Sequence, residues 1–211
     1  KNGFLTQFRY LPLDDNNRTT IPFKRLQLTD EGLFEDYLQR HLKAKGIPQM
    51  TEGLGKVFKQ KLFEVFQNAV IHSESELGIF VCGQWFPQMQ KLDLTIADAG
   101  IGIRDNVRRY FGDPKIASVP AIRWALQEGH TTKKGKQPGG LGLKFLHDFA
   151  RLNKGRIHIV SRFGFYEFNA GQESFAKLEN DFPGTTVTLE VNTADTSAYC
   201  LASEASRDGI F

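Results

Sequence analysis

The sequence predicts an α/β protein, a two-layer sandwich with helices on one face of a mixed, mostly antiparallel sheet. Three observations predict it. Apolar residues recur at helical spacing through residues 51–73 and at strand spacing through 91–98, and short glycine turns join neighbouring elements. At 211 residues with 18 phenylalanines, the chain carries enough apolar mass for one good-sized core.

The elements follow in order. Residues 4–28 alternate loosely around the polar turn Asp14-Asp15-Asn16-Asn17 and suggest one or two strands. Thr29 or Asp30 can cap a helix carrying Leu33, Phe34, Tyr37, Leu38 and Leu42, stopped by Gly46 and Pro48. A longer helix starts at Thr51 and reaches about Ser73, with Leu54, Phe58, Leu62, Val65, Phe66 and Ala69 along one stripe. Strands are expected at Leu77–Gln84 and Lys91–Asp98, and helices at Asn106–Phe111 and Ala117–Glu128. Residues 129–140 lack periodicity and are expected as a flexible loop, followed by a helix over Gly140–Asn153. Arg156–Arg162, Phe165–Asn169 and Thr185–Val191 are expected strands. Residues 193–211, small and polar, are expected as a tail or a lone helix.

Composition narrows the function classes. A formal net charge of +3 is too small to point to nucleic acid. Cys82 and Cys200 fit no metal spacing and suggest a reducing, cytoplasmic setting. No apolar run approaches the ~18 residues of a membrane span, so no membrane insertion is expected. The opening Lys1-Asn2-Gly3, without methionine, reads as the cut end of a longer protein with a neighbouring domain.

Three motifs carry chemistry. Glu64, Asn68 and His72 stand at i, i+4 and i+8 on the long helix, each step drifting only about 40° around the axis. A carboxylate and a carboxamide on one face can supply oxygen ligands to Mg²⁺ or position a water near a phosphate, although a solvated helix face shows the same pattern. Asp98 continues the parity of Leu92, Leu94 and Ile96, so its carboxylate is expected on the buried side of a strand end. Such a group needs a donor, and the exocyclic amine of adenine would suit. Gly100 and Gly102 then permit a sharp turn and close approach of a flat ligand, as would any ordinary Asp-Gly turn. Gly139-Gly140-Leu141-Gly142-Leu143 runs into a helix, whose free N–H groups bind anions, and Thr131, Thr132, Lys133, Lys134 and Lys136 precede it as a lid would. A solvated basic loop with a glycine hinge is the plainer alternative. No P-loop, no Gly-x-Gly-x-x-Gly and no Gly-x-Ser-x-Gly elbow occurs.

In this order the motifs resemble those of the GHKL ATPases, the group of gyrase-type topoisomerases, a heat-shock chaperone, mismatch-repair ATPases and sensor histidine kinases. Glu64-Val-Phe-Gln-Asn68-Ala69 resembles the N box, Asp98-Ala-Gly-Ile-Gly the first glycine box and Gly139-Gly-Leu-Gly-Leu the second. Phe182-Pro183-Gly184-Thr185 resembles the closing Gly-Thr element, and the likeness covers about residues 51–191. One departure is Ala99, where the family often has Asn. Asn68-Ala-x-x-His72 and the Thr-Thr-Lys segment look most like bacterial sensor-kinase and anti-sigma-type ATPase domains.

The resemblance implies a Bergerat-type ATP-binding fold over residues 30–192, with 193–211 a tail and 1–29 an N-terminal strand segment that is either part of this core or the remnant of an upstream domain. It implies ATP and Mg²⁺ as cofactors. Asp98 would bind the adenine amine with Thr185, beside Gly100, Gly102 and Ile103. Asn68 would hold Mg²⁺, and Glu64 would act as general base or support the metal. Thr132, Lys133, Gly139, Gly140, Leu141, Gly142 and Leu143 would meet the phosphates. Slow hydrolysis serving a nucleotide switch in a larger protein is the expected activity. Phosphotransfer to a partner by a kinase of histidine or anti-sigma type is one alternative, and ATP-dependent partner binding without hydrolysis is another. A protein partner or fused domain is implied, and a homodimer stays open. Arg40-His41-Leu42-Lys43 lacks the acidic neighbour usual beside a phosphoacceptor histidine.

Overall fold

The computed structural model describes residues 1–27, 29–127, 129–130 and 141–205, the side chains of residues 31 and 141 excepted. Five strands form one open sheet: β1 (Thr20–Leu26), β2 (Ile79–Phe86), β3 (Lys91–Asp98), β4 (Arg156–Asn169) and β5 (Gln172–Asn192), in spatial order β1-β2-β3-β5-β4. Every ladder between them is antiparallel, the limiting case of the mostly antiparallel sheet expected. Helices are α1 (Glu31–Leu42), α2 (Glu52–His72), α3 (Gly102–Phe111), α4 (Ser118–Ala125), α5 (Leu141–Asn153) and the short α6 (Ala202–Ala205). No described helix is long and apolar enough to cross a membrane.

Alternation produces the two layers. In β3 every even residue from Leu92 to Asp98 is buried and every odd one is half-exposed. In the neighbouring strands Val81, Ile157, Ile159, Leu189 and Val191 extend the buried face. The opposite face holds charged side chains, with Lys91 donating to Glu190 at 2.8 Å and His158 bonded to Glu167 at 2.9 Å.

Against the apolar face lie α2 and α5. Thr51 caps α2, its Oγ1 accepting from Leu54 N at 3.2 Å. Leu54, Phe58, Leu62, Val65 and Phe66 then turn inward at helical spacing. Phe66 stacks on Phe34 of α1 with ring centroids 4.4 Å apart, and Phe58 meets Phe149 of α5 edge-on at 4.9 Å. Each such ring buries enough surface to contribute about 2–3 kcal/mol.

Three expectations are corrected. Residues 4–8 form a 3-10 turn, not a strand, bounded by left-handed Gly3 and Arg9. The two strands expected at 156–169 are one, kinked at Ser161, Arg162 and Gly164, where the register shifts and Arg162 takes φ 54°. β5 begins at Gln172 instead of Thr185, because β4 and β5 continue past the sheet as a hairpin closed by Ala170 and Gly171. The tail to residue 205 folds back on the core: Thr51 N donates to Tyr199 O at 2.9 Å and Thr51 Oγ1 to Glu204 Oε2 at 2.6 Å.

Candidate functional site

Antiparallel register sets one row of residues across three strands: Asp98 of β3 pairs with Thr185 of β5, and Thr185 with Ser161 of β4. All three follow the parity of the buried face, so the sheet's apolar floor ends in a polar row. Beside it opens a cavity of about 130 Å³. An apolar cavity of ~150 Å³ holds a benzene ring, so one flat ring is the natural scale of this space. Its apolar walls come from Val65 of α2, Ile96 of β3, Val107 of α3, Leu143 of α5 and Val187 of β5.

Within the row the hydrogen bonds leave a defined remainder. Asp98 is 5% exposed, and burial pushes its carboxyl pKa above the ordinary carboxylate range, against two backbone donors. Both donors, Gly100 N at 2.9 Å and Thr185 N at 3.3 Å, go to Oδ1. Among the described residues Oδ2 receives none. Ser161, fully buried, donates its one proton to Gly184 O at 3.0 Å and accepts from Ile103 N at 2.8 Å. With that proton on Gly184 O, the 2.9 Å contact between Ser161 and Thr185 Oγ1 is one that Thr185 donates, and Thr185 Oγ1 and Asp98 Oδ2 then turn lone pairs toward the cavity.

The turn after Asp98 is docked on the end of α2. Ile101 N donates to Ser73 O at 2.8 Å, and a Cβ on Gly100 would sit 1.8 Å from that oxygen. No side chain fits there. Gly102 opens α3 at φ 78°, where a Cβ would fall 2.9 Å from Ser161 Oγ. Asn106 Nδ2 completes the joint by donating to His72 O at 2.8 Å and to Gly102 O at 3.0 Å. The turn, α2 and the sheet are thus held as one unit.

Of the sequence-predicted residues, Asn68, Asp98, Gly102, Ile103, Leu143 and Thr185 line this cavity together. Gly100 supports it from behind, through Asp98 and Ser73. Gly142 packs α5 on α2, where a Cβ would stand 3.0 Å from Glu64 Cβ. Glu64 itself does not line the cavity: it accepts from Lys61 Nζ at 2.5 Å, a half-buried pair one helical turn from Asn68. Thr132, Lys133, Gly139 and Gly140 lie outside the described residues, as do Thr131, Lys134 and Lys136, while Leu141 opens α5.

Sequence reasoning missed Ser161, Asn106, Trp124 and His130. Ser161 shares the parity of Ile157 and Ile159, which could have drawn notice as a polar residue on an apolar strand face. Trp124 and His130 offered no motif. Among the described residues no group of three or more His, Cys, Asp or Glu could hold a metal ion. Asn68, on the cavity wall and without a side-chain partner among the described residues, could supply one oxygen ligand to a cation. No protein-family model matches the chain, and no curated protein matches it either.

Proposed function

We propose that the chain is a Mg²⁺-dependent ATP-binding domain of GHKL type, hydrolysing ATP slowly and acting as a nucleotide-gated switch. The observation that carries this reading is the pair of acceptors at the cavity's end. Asp98 Oδ2, which receives no hydrogen bond among the described residues, and Thr185 Oγ1 present lone pairs, which suit an amine bearing two N–H groups. A 6-aminopurine offers such a group on a flat ring. A ring with a carbonyl there would leave three acceptors facing one another, a mismatch of the kind that gives a site built for hydrogen bonding its strong discrimination.

On this reading Asp98 and Thr185 orient the base, Asn68 holds the metal, and Leu143 and Gly142 stand at the phosphate side. The metal would supply neutralisation of the phosphate charge. Glu64 would take a proton from the attacking water, for which it must leave Lys61 and come within hydrogen-bond reach of that water.

The placement of Glu64 also favours a second reading, nucleotide binding without hydrolysis. Here ATP is held and a partner reads the occupied state. The two separate when the γ-phosphate of labelled Mg·ATP is followed. The hydrolytic reading expects free phosphate from wild type and much less from Glu64→Ala, with ATP still bound by both. Tight binding without phosphate release selects the second reading. Labelled protein in place of free phosphate, once a partner is added, would turn the assignment to a kinase. Absence of ATP binding to wild type would end all three.

A further inference from the structure

Four aromatic rings cluster where α3 and α4 meet, and two of them reach the cavity. Trp124 of α4 lies 5.5 Å from Tyr110 and 5.4 Å from Phe111 of α3, centroid to centroid. His130 stands 4.9 Å from the Trp124 ring at 30°, and its Nδ1 is 3.1 Å from Trp124 O. His130 N also donates to Gln127 O at 3.2 Å, folding the chain after α4 back onto the indole. Trp124 and His130 both line the cavity that ends in Asp98, whereas Tyr110 and Phe111 are more than half exposed. The indole is thus packed against three other rings while remaining only half-buried itself.

A braced, half-buried indole in a cavity the size of one ring is a stacking surface. Resting on the nucleotide reading above, we infer that Trp124, held by His130, is the stacking wall of the site and a determinant of its affinity for the nucleoside half of the ligand. Asp98 and Thr185 read the edge of the base, and Trp124 binds its face. Tyr110 and Phe111 fix the indole from the solvent side and do not meet the ligand. Phosphate recognition does not involve Trp124, so its contribution is the same for adenosine, ADP and ATP.

That equality is the test. Binding of adenosine, ADP and ATP to wild type, Trp124→Leu and Trp124→Phe is compared by calorimetry, with melting temperature followed alongside. Loss of one stacked base corresponds to a roughly tenfold weakening, within a range of about 5- to 150-fold. The inference expects that factor for all three ligands in Trp124→Leu, and recovery of most of it in Trp124→Phe. Unchanged binding in Trp124→Leu overturns the inference and leaves the nucleotide reading intact. If both variants lose binding in proportion to their loss of melting temperature, the cluster is only a small core joining α3 to α4, and the inference also fails. Failure of wild type to bind any of the three removes the nucleotide reading and the inference with it.

Discussion

The two sides of the cavity are built differently. At the strand end, Asp98, Thr185 and Ser161 are held by sheet register, each with hydrogen bonds to backbone or to one another at 2.8–3.3 Å. On the helix side, Asn68 has no side-chain partner among the described residues, and Glu64 is engaged with Lys61 of its own helix. The first arrangement is preorganised, since moving any member breaks bonds within the sheet. The second costs little to rearrange, because a half-buried lysine–glutamate pair on one helix is worth about 1 kcal/mol or less. On the proposed nucleotide reading, such a site would grip one end of its ligand on a rigid surface and leave the chemistry at the other end adjustable.

Substitutions can break the rigid side selectively. Gly100→Ala places a methyl group against Ser73 O and must displace either the turn or the end of α2. We expect a loss of about 3 kcal/mol in chemical denaturation, and collapse of ligand binding with it. Ser161→Ala leaves Ile103 N and Gly184 O without their partner in a fully buried position, at a cost of about 1–3 kcal/mol. It also frees the Thr185 proton, so discrimination between amino- and keto-purines should narrow in competition binding. Retained discrimination would show that the Ser161 hydroxyl does not set the polarity of Thr185.

How far the sequence foretold this contrast differs between the two sides. β3 was legible residue for residue, since strict alternation over Lys91–Asp98 fixes both a strand and the direction of the Asp98 carboxylate. α2 was legible to one residue at each end, from its apolar stripe and the Thr51 cap. The strand order was not, because it depends on pairing between residues far apart in the chain, such as Asp93 with Glu190. Nor was the outer part of the β4–β5 hairpin: most of Gln172–Asp181 is exposed and no apolar period marks it, and the contacts that hold it, such as Phe175 against Tyr166 and the Tyr166 hydroxyl donating to Glu173, are tertiary. The site suffered the same division. Asp98 and Gly102 were found because strand parity and a glycine turn leave a local signal, and Thr185 through the resemblance of Phe182-Pro183-Gly184-Thr185 to a family element. Trp124 and His130 reach the cavity only through tertiary packing, Ser161 supports Thr185 only through the pairing of β4 with β5, and the engagement of Glu64 with Lys61 is a choice of rotamer that spacing does not specify.

A smaller effect concerns the tail, which lies away from both sides of the cavity. Asp195 accepts from Tyr199 Oη, from Ser197 N at 2.9 Å and from Asn153 Nδ2 at 3.1 Å. The Tyr199 hydroxyl, first among these, holds its pKa at about 2 against a usual 3.8. A carboxyl depressed on folding stabilises the fold above its unfolded pKa, and that contribution fades as pH falls from about 4 to about 2. Wild type should therefore lose slightly more stability over that window than Asp195→Asn, by melting temperature. Equal losses would mean that the tail contact contributes nothing. Ligand affinity measured at neutral pH should be the same in both proteins.

The central claim is that the strand end of the cavity reads the amine of a base through Asp98. Asp98→Asn keeps Oδ1 for Gly100 N and Thr185 N but replaces the free Oδ2 with an amide that donates, so an acceptor becomes a second donor facing the ligand amine. Because burial already disfavours the ionised carboxylate, the substitution should not lower the melting temperature. Calorimetric titration of ATP into wild type and Asp98→Asn is the direct measurement. The account predicts binding by wild type and a loss of about 10- to 100-fold in the variant, the cost of about 1.5–3 kcal/mol for a hydrogen bond to a charged group. ATP affinity unchanged by Asp98→Asn would contradict it.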